Sequence, residues 1–111
     1  LEWISRDPAV CDELMLAAQS ACGSQGQVLV LLVAEMAKLA FKYQNFALSL
    51  MYRNAGAALQ TFYLVATALG LAPVAIGAGP SRSFAVTLGA SPFQLSIVGE
   101  FLLSTKKSAS D

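Results

Sequence analysis

The longest stretch without a charged side chain, residues 54 to 81, restricts the fold of this chain more than any other feature. Its length is enough to cross a bilayer. However, Gly70 is a typical helix end, and Pro73 shortly after it prevents the helix from continuing. We therefore predict a long buried helix over residues 50–70, followed by a buried strand that starts at Pro73. A membrane-spanning segment over the same residues is the less favoured alternative.

The remaining segments alternate between helical and extended patterns. Asp7 and Pro8 are typical of a helix start, and Gly23 is typical of a helix end. In chain order, we predict a first helix, a strand buried on both faces, a segment without a clear period, a short helix and a last strand, over residues 6–23, 27–36, 37–49, 81–90 and 93–104. This order predicts an α+β fold, with helices packed on one sheet. We place residues 1–111 in a single domain with a frayed tail at 105–111.

The composition indicates a chain that needs a partner. Apolar residues make up 56% of the chain and charged residues only 13%. A domain of this size with so few charges should expose apolar surface that another chain or a membrane covers. Seven basic residues balance seven acidic ones, so nothing in the charge favours nucleic acid as that partner.

The absence of histidine excludes several classes of active site. Catalysis by a Ser-His-Asp or Cys-His arrangement is impossible, and so are most zinc sites, so we predict no metal. Cys11 and Cys22 would lie about 16 Å apart along a helix, too far for a disulfide. Reduced thiols of this kind are typical of a cytoplasmic protein.

Three features carry functional hypotheses. In the stretch "FKYQNF", Lys42 and Tyr43 form either a solvated loop or an acid–base pair at the edge of a cavity. Arg53, Gln60 and Thr67 line one face of the predicted long helix, and they bind either neighbouring backbone in a core or dimer interface, or a polar ligand. The small residues of "AIGAG" form either a simple turn or an open backbone that can bind an anion or a ring oxygen.

The segment "YRNAGAALQTFYLVATALGLAPVAIGAG" resembles the central helix and following strand of the nitroreductase superfamily. The most similar branch is the SagB-type dehydrogenases, which oxidise azoline rings in ribosomally made peptides. The matching residues are Ala55-Gly56, Gln60, Ala68-Leu69-Gly70-Leu71 and Ile76-Gly77, with Lys42 and Tyr43 upstream. The likeness covers roughly residues 27 to 103, which corresponds to the C-terminal half of the fold. The Arg- and Ser-rich segment that binds the FMN phosphate in the N-terminal half of family members has no counterpart here.

The resemblance implies an FMN enzyme that works as an intertwined homodimer, or as a complex with a chain that supplies the N-terminal half. It implies that the loop after the second strand lies against the flavin, with contacts from Ala75, Ile76, Gly77 and Ala78. A basic residue near the C-terminus, Lys106 or Lys107, would reach the phosphate. The catalytic candidates are Lys42 and Tyr43.

Azoline oxidation removes a proton from one ring carbon and a hydride from the next. The flavin takes the hydride, and the protein must take the proton. A phenol is a poor base near neutral pH, but an adjacent ammonium favours the phenolate, so either Lys42 or Tyr43 can be the base. Both side chains can serve one site only if the backbone between them is irregular, because neighbours on a strand point to opposite faces. The alternative is a non-catalytic subunit that completes a flavoprotein partner.

Overall fold

The computed structural model describes residues 8–77 and 80–107 of the chain. These residues form helices and strands in the order α1 (Pro8–Cys22), β1 (Val28–Glu35), α2 (Met36–Tyr43), a 3₁₀ turn (Gln44–Phe46), α3 (Ala47–Ala68), β2 (Leu71–Ile76), α4 (Ser81–Thr87) and β3 (Leu95–Thr105). The predicted α+β class is confirmed, because helices pack on a single antiparallel sheet. Asp7, predicted to start the first helix, and Ala78, predicted to contact the flavin, lie outside the described residues.

The strand that comes last in the chain lies at the centre of the sheet. The strand order is β1-β3-β2, and both outer strands run antiparallel to β3. Along β1 the register shifts between Leu32 and Val33, so that Val98 is an extra residue on β3. Pro73 lies in β2, an outer strand, which is where a residue without a backbone N–H is tolerated.

The long helix α3 covers one face of the sheet. Phe101 of β3 is 1% exposed and packs against the rings of Phe62 and Tyr63, with centroid distances of 5.4 and 5.1 Å. A Cβ added to Gly99 would lie 3.2 Å from Leu59, so the absence of a side chain there lets α3 approach the sheet closely. The other face carries α4, which packs on β3, and α1, which packs on α4 and β2.

Two sequence-based expectations about the elements were wrong. The strand β1 was expected to be buried on both faces, but it is an outer strand whose Val28 and Val33 are exposed. Residues 37–49, predicted to be irregular, form most of α2, the 3₁₀ turn and the first turn of α3. The apolar run of β1 therefore includes side chains that the described residues leave exposed.

The uncharged stretch over residues 54–81, which is long enough to cross a bilayer, contributes residues to α3, β2 and the start of α4. Among the described helices, none combines the length and the apolar character that a membrane crossing requires.

Tyr63 joins α3 to the edge of the sheet, and its replacement provides a first test of this packing. The backbone N–H of Ala75 donates a hydrogen bond of 2.6 Å to the Tyr63 hydroxyl. Tyr63→Phe should lower the free energy of unfolding by about 1–3 kcal/mol, because the part-buried N–H loses its acceptor. The measurement is urea denaturation followed by circular dichroism. Tyr52→Phe, which alters an exposed tyrosine of the same helix, is the control and should change stability by less than about 0.5 kcal/mol.

Candidate functional site

Lys42 and Tyr43 lie together at the end of α2. The ammonium nitrogen of Lys42 is 5.1 Å from the centroid of the Tyr43 ring, which is a cation–π contact. The next residue, Gln44, ends the helix with a φ of 48° in the left-handed region, where residues other than glycine are uncommon. The pair therefore lies at the end of a helix, next to a strained turn. It does not lie on a strand, where the two neighbouring side chains would point to opposite faces.

The surface around this pair is apolar and exposed. Phe41 and Phe46 flank the pair in sequence, and they are 93% and 73% exposed. Leu48 and Tyr52, in the first turns of α3, are exposed as well. Apolar surface of this extent is typical of a face that another chain or a ligand covers.

The predicted flavin loop begins at the end of β2. Ala75 already uses its backbone N–H for Tyr63, and Ile76 is half-buried beside it. Gly77 is exposed, and a Cβ added there would meet no other atom within 4 Å. The described part of the loop is therefore open to the approach of a ligand at Ile76 and Gly77.

The structure does not bring the Lys42–Tyr43 pair to this loop within one chain. The pair precedes Ala47, where α3 begins, whereas Ala75 is bonded to Tyr63 in the last third of the same helix. Sixteen residues of helix separate Ala47 from Tyr63, which corresponds to about 24 Å. Within the described part of the chain, the pair and the loop are therefore separate.

Lys106, the candidate for the phosphate, also lies away from the loop. It follows β3 directly, at the level where Thr105 pairs with Leu71. The loop follows Ile76, which pairs with Glu100, about 17 Å further along the sheet. Lys106 and Gly77 are therefore at opposite ends of β2.

The polar residues that were predicted to line α3 lie on its outer face. Arg53, Gln60 and Thr67 are exposed, and Gly56 is exposed with open space around it. Gln60 and Thr67 border a shallow groove along this face. These side chains therefore do not enter the core of the chain, and a contact with another chain or with a polar ligand on this face stays a prediction.

A comparison with protein families identifies the family of this chain, which the geometry alone does not show. The model of the nitroreductase family matches residues 6–99. The chain belongs to the nitroreductase family. Comparison with curated proteins gave no match. Nitroreductase family proteins are flavin-dependent oxidoreductases that use FMN or FAD.

The residues of this nitroreductase-family chain fit the ring of a flavin better than its phosphate. The open backbone at Ile76 and Gly77 can lie against a planar ring, because no side chain fills the space at Gly77. The phosphate would require basic groups or backbone N–H groups nearby, and Lys106 lies at the other end of β2. The contacts of Ile76 and Gly77 with the ring and of Lys106 with the phosphate all stay predictions.

Sequence reasoning missed one unusual residue of this region, Glu100. It lies in the central strand, paired with Ile76 on one side and Leu31 on the other, and is only 2% exposed. The signal was a lone acid inside the apolar run "LSIVGEFLLS", but the sequence does not show that this position faces the interior.

Proposed function

We propose that this chain is part of an FMN-dependent dehydrogenase that oxidises azoline rings to azoles in a ribosomally made peptide. The observation that supports this proposal most is the contact between Lys42 and Tyr43 in a chain of the nitroreductase family. FMN, when bound, accepts a hydride from the substrate ring. The protein must then provide a base for the proton.

The Lys42–Tyr43 pair provides that base. One of the two groups removes the proton from the ring carbon. The other balances the change of charge, since the Lys42 nitrogen and the centroid of the Tyr43 ring are 5.1 Å apart. The exposed rings of Phe41 and Phe46 give the peptide an apolar surface beside the pair. When the site closes over the substrate, this surface excludes water from the reacting carbon.

The site is completed by a second chain. The Lys42–Tyr43 pair and Gly77 lie at different levels of α3, and the outer face of α3 is exposed in the described part of the chain. A second copy packed antiparallel along this face would bring the start of one helix towards the end of the other. A separate chain that carries the N-terminal half of the fold is the other possible partner, and it would also supply the phosphate site.

Gly56 tests whether the outer face of α3 is the contact. Gly56→Leu should leave the isolated chain as stable as before or more stable by up to about 1 kcal/mol, because Gly56 lies in a helix with open space around it. The same leucine should dissociate the assembly. The measurement is the molar mass by light scattering after gel filtration, beside the melting temperature. Gly56→Ala, which adds one carbon, is the graded control, and an unchanged mass for Gly56→Leu would exclude this face.

The proposed function is tested first by flavin binding and then by turnover. Protein purified without detergent is titrated with FMN and with FAD, and we expect a flavin absorption band that a reductant bleaches. A thiazoline or oxazoline peptide should then lose two hydrogens, as measured by mass spectrometry. A protein that binds flavin and leaves both peptides unchanged would contradict the azoline substrate.

A second candidate is a non-catalytic subunit that completes the interface of a flavoprotein. The distance between Lys106 and Gly77 favours it, since the basic residue that was predicted to reach the phosphate lies at the other end of β2 from the loop. This candidate predicts that flavin binds only when a partner is present, and that Lys42 is dispensable for the activity of the complex.

A further inference from the structure

The outer edge of β1 borders an apolar groove. β1 is an outer strand, and among the described residues no backbone hydrogen bond joins its outer edge to another segment. A groove of about 500 Å³ runs beside the end of this strand, with α2 and α3 as its other walls. Its volume is in the range of pockets that bind ligands. The apolar residues that line it include Leu32, Val33, Leu39, Met51, Ala55 and Ala58.

The groove follows the edge of the strand and carries no net charge. Four successive residues of β1, 32–35, line it, whereas a groove on one face would be lined by alternate residues only. Among its described lining residues only Glu35 and Lys38 are charged, and they form an ion pair of 2.7 Å with each other, open to solvent. The groove therefore favours an uncharged, apolar occupant that lies along the edge.

An open strand edge also selects the backbone of its occupant. Its unpaired N–H and C=O groups can be completed by another extended segment, which adds to the sheet as a further strand. Edges that are protected against such pairing usually carry proline or charged residues. Residues 28–34 of β1 contain neither, whereas the other outer strand, β2, contains Pro73. The edge of β1 is therefore suited to an added strand.

The groove leads to the Lys42–Tyr43 pair. Leu39 of α2 lines the groove, and Tyr43 follows it by four residues on the same helix. Residues four apart lie on one face of a helix, about 6 Å from each other along its axis. Because an extended peptide advances about 3.3 Å per residue, a peptide in the groove reaches the pair with about two further residues.

We propose that the outer edge of β1 and this groove bind the substrate peptide as an added β-strand, with an apolar side chain of the peptide in the groove. This inference rests on the proposed function, because it places that peptide beside the proposed base. Backbone hydrogen bonds to β1 provide affinity with little regard to sequence. The groove provides selectivity for an apolar residue near the ring that is oxidised.

The first test measures peptide binding without turnover. The labelled peptide is a fluorescein conjugate of eight alternating threonine and valine residues with a lysine at each end, and fluorescence anisotropy gives its Kd. Two further versions carry N-methyl groups on the odd-numbered or on the even-numbered residues. Alternate N–H groups point to opposite edges of a strand, so the Kd values of these two versions should differ by at least about tenfold. Equal Kd values would overturn strand addition.

Val33→Lys is the corresponding change in the protein. Val33 lines the groove and is 38% exposed, so the lysine can reach solvent while its charge opposes an apolar side chain in the groove. We expect the Kd of the unmethylated peptide to rise by at least about tenfold at an unchanged melting temperature. Val28→Lys is the matched control, because Val28 is an exposed valine of the same strand about 17 Å from Val33. Equal loss of binding in both variants would exclude the groove.

The remaining outcomes separate this inference from the proposed function. If Val33→Lys does not fold, the two N-methylated peptides still decide the matter, because they are tested on the unsubstituted protein. A protein that oxidises a thiazoline peptide but shows no strand-like binding would overturn the docking site alone. Strand-like binding without any oxidation would overturn the proposed function and support the docking site. A molar mass by light scattering that falls in Val33→Lys would show that another protein chain occupies the edge, and would overturn the peptide as its occupant.

Discussion

Lys42→Met is expected to lower kcat by about 10²- to 10⁴-fold while the flavin stays bound, because the variant removes half of the acid–base pair. Tyr43→Phe should lower it by a similar factor if the phenol is the base, and by less if the ammonium is. The contact of 5.1 Å between the ammonium and the ring makes each group part of the other's environment. The measurement is single-turnover bleaching of the flavin by an azoline peptide, with bound flavin determined separately from its absorption.

Lys38→Met is the matched control for this experiment. Lys38 lies on the same helix α2 and forms an exposed ion pair of 2.7 Å with Glu35, so its loss should change turnover and stability little. Near-normal turnover in Lys42→Met would remove that residue from the mechanism. Near-normal turnover in both Lys42→Met and Tyr43→Phe would favour the non-catalytic subunit.

Phe101→Ala is expected to unfold the chain or to bring it close to unfolding. The ring is 1% exposed and fills the space between β3 and the rings of Phe62 and Tyr63. Truncation of a buried phenylalanine costs about 3–5 kcal/mol, against a total stability of about 5–15 kcal/mol for a typical domain. Guanidinium chloride denaturation followed by circular dichroism measures this loss.

Phe93→Ala is the control for the core prediction. Phe93 lies just before β3 and is 88% exposed, so its removal should change the free energy of unfolding of the isolated chain by less than about 0.5 kcal/mol. If the two variants lost similar stability, Phe101 would not be at the centre of the core. A large loss in Phe93→Ala only in the assembled protein would show that a partner covers this ring.

Local signals in the sequence predicted the long helix and the strand after it. Gly70 has a φ of 71°, which a glycine adopts at little cost, and α3 ends just before it. Pro73 lies within β2 rather than at its first residue. Residues 37–49 lack such signals, because α2 has no side chain that caps its first turn and is only 8 residues long. The conformation of α2 depends on packing against α3, and a local sequence pattern carries no information about that packing.

The burial of β1 was not predictable for a different reason. A continuous apolar run shows that a strand is covered on both faces, but it does not show which chain provides the cover. In this chain β1 is an outer strand with Val28 and Val33 exposed. The low content of charged residues, which indicated a partner, and the exposed strand are consistent with each other.

The candidate site was predictable only in parts. Sequence adjacency and the family resemblance gave Lys42 and Tyr43, and the resemblance gave the loop at Ile76 and Gly77. The separation of these two groups along α3 can be read only from the fold. The same holds for the distance of Lys106 from the loop, because both depend on how the strands and α3 are arranged. The burial of Glu100 likewise depends on which strand is central.

The position of β3 at the centre of the sheet has a consequence for how the protein is made. On the ribosome, β1 and β2 are synthesised first, yet within the described residues each of them pairs with β3 and not with the other. Neither can form its ladder until residues 95–105 have left the ribosome, so two apolar strands wait unpaired in the nascent chain. Chaperones that bind extended apolar segments would protect this interval, and slow translation before residue 95 would lengthen it.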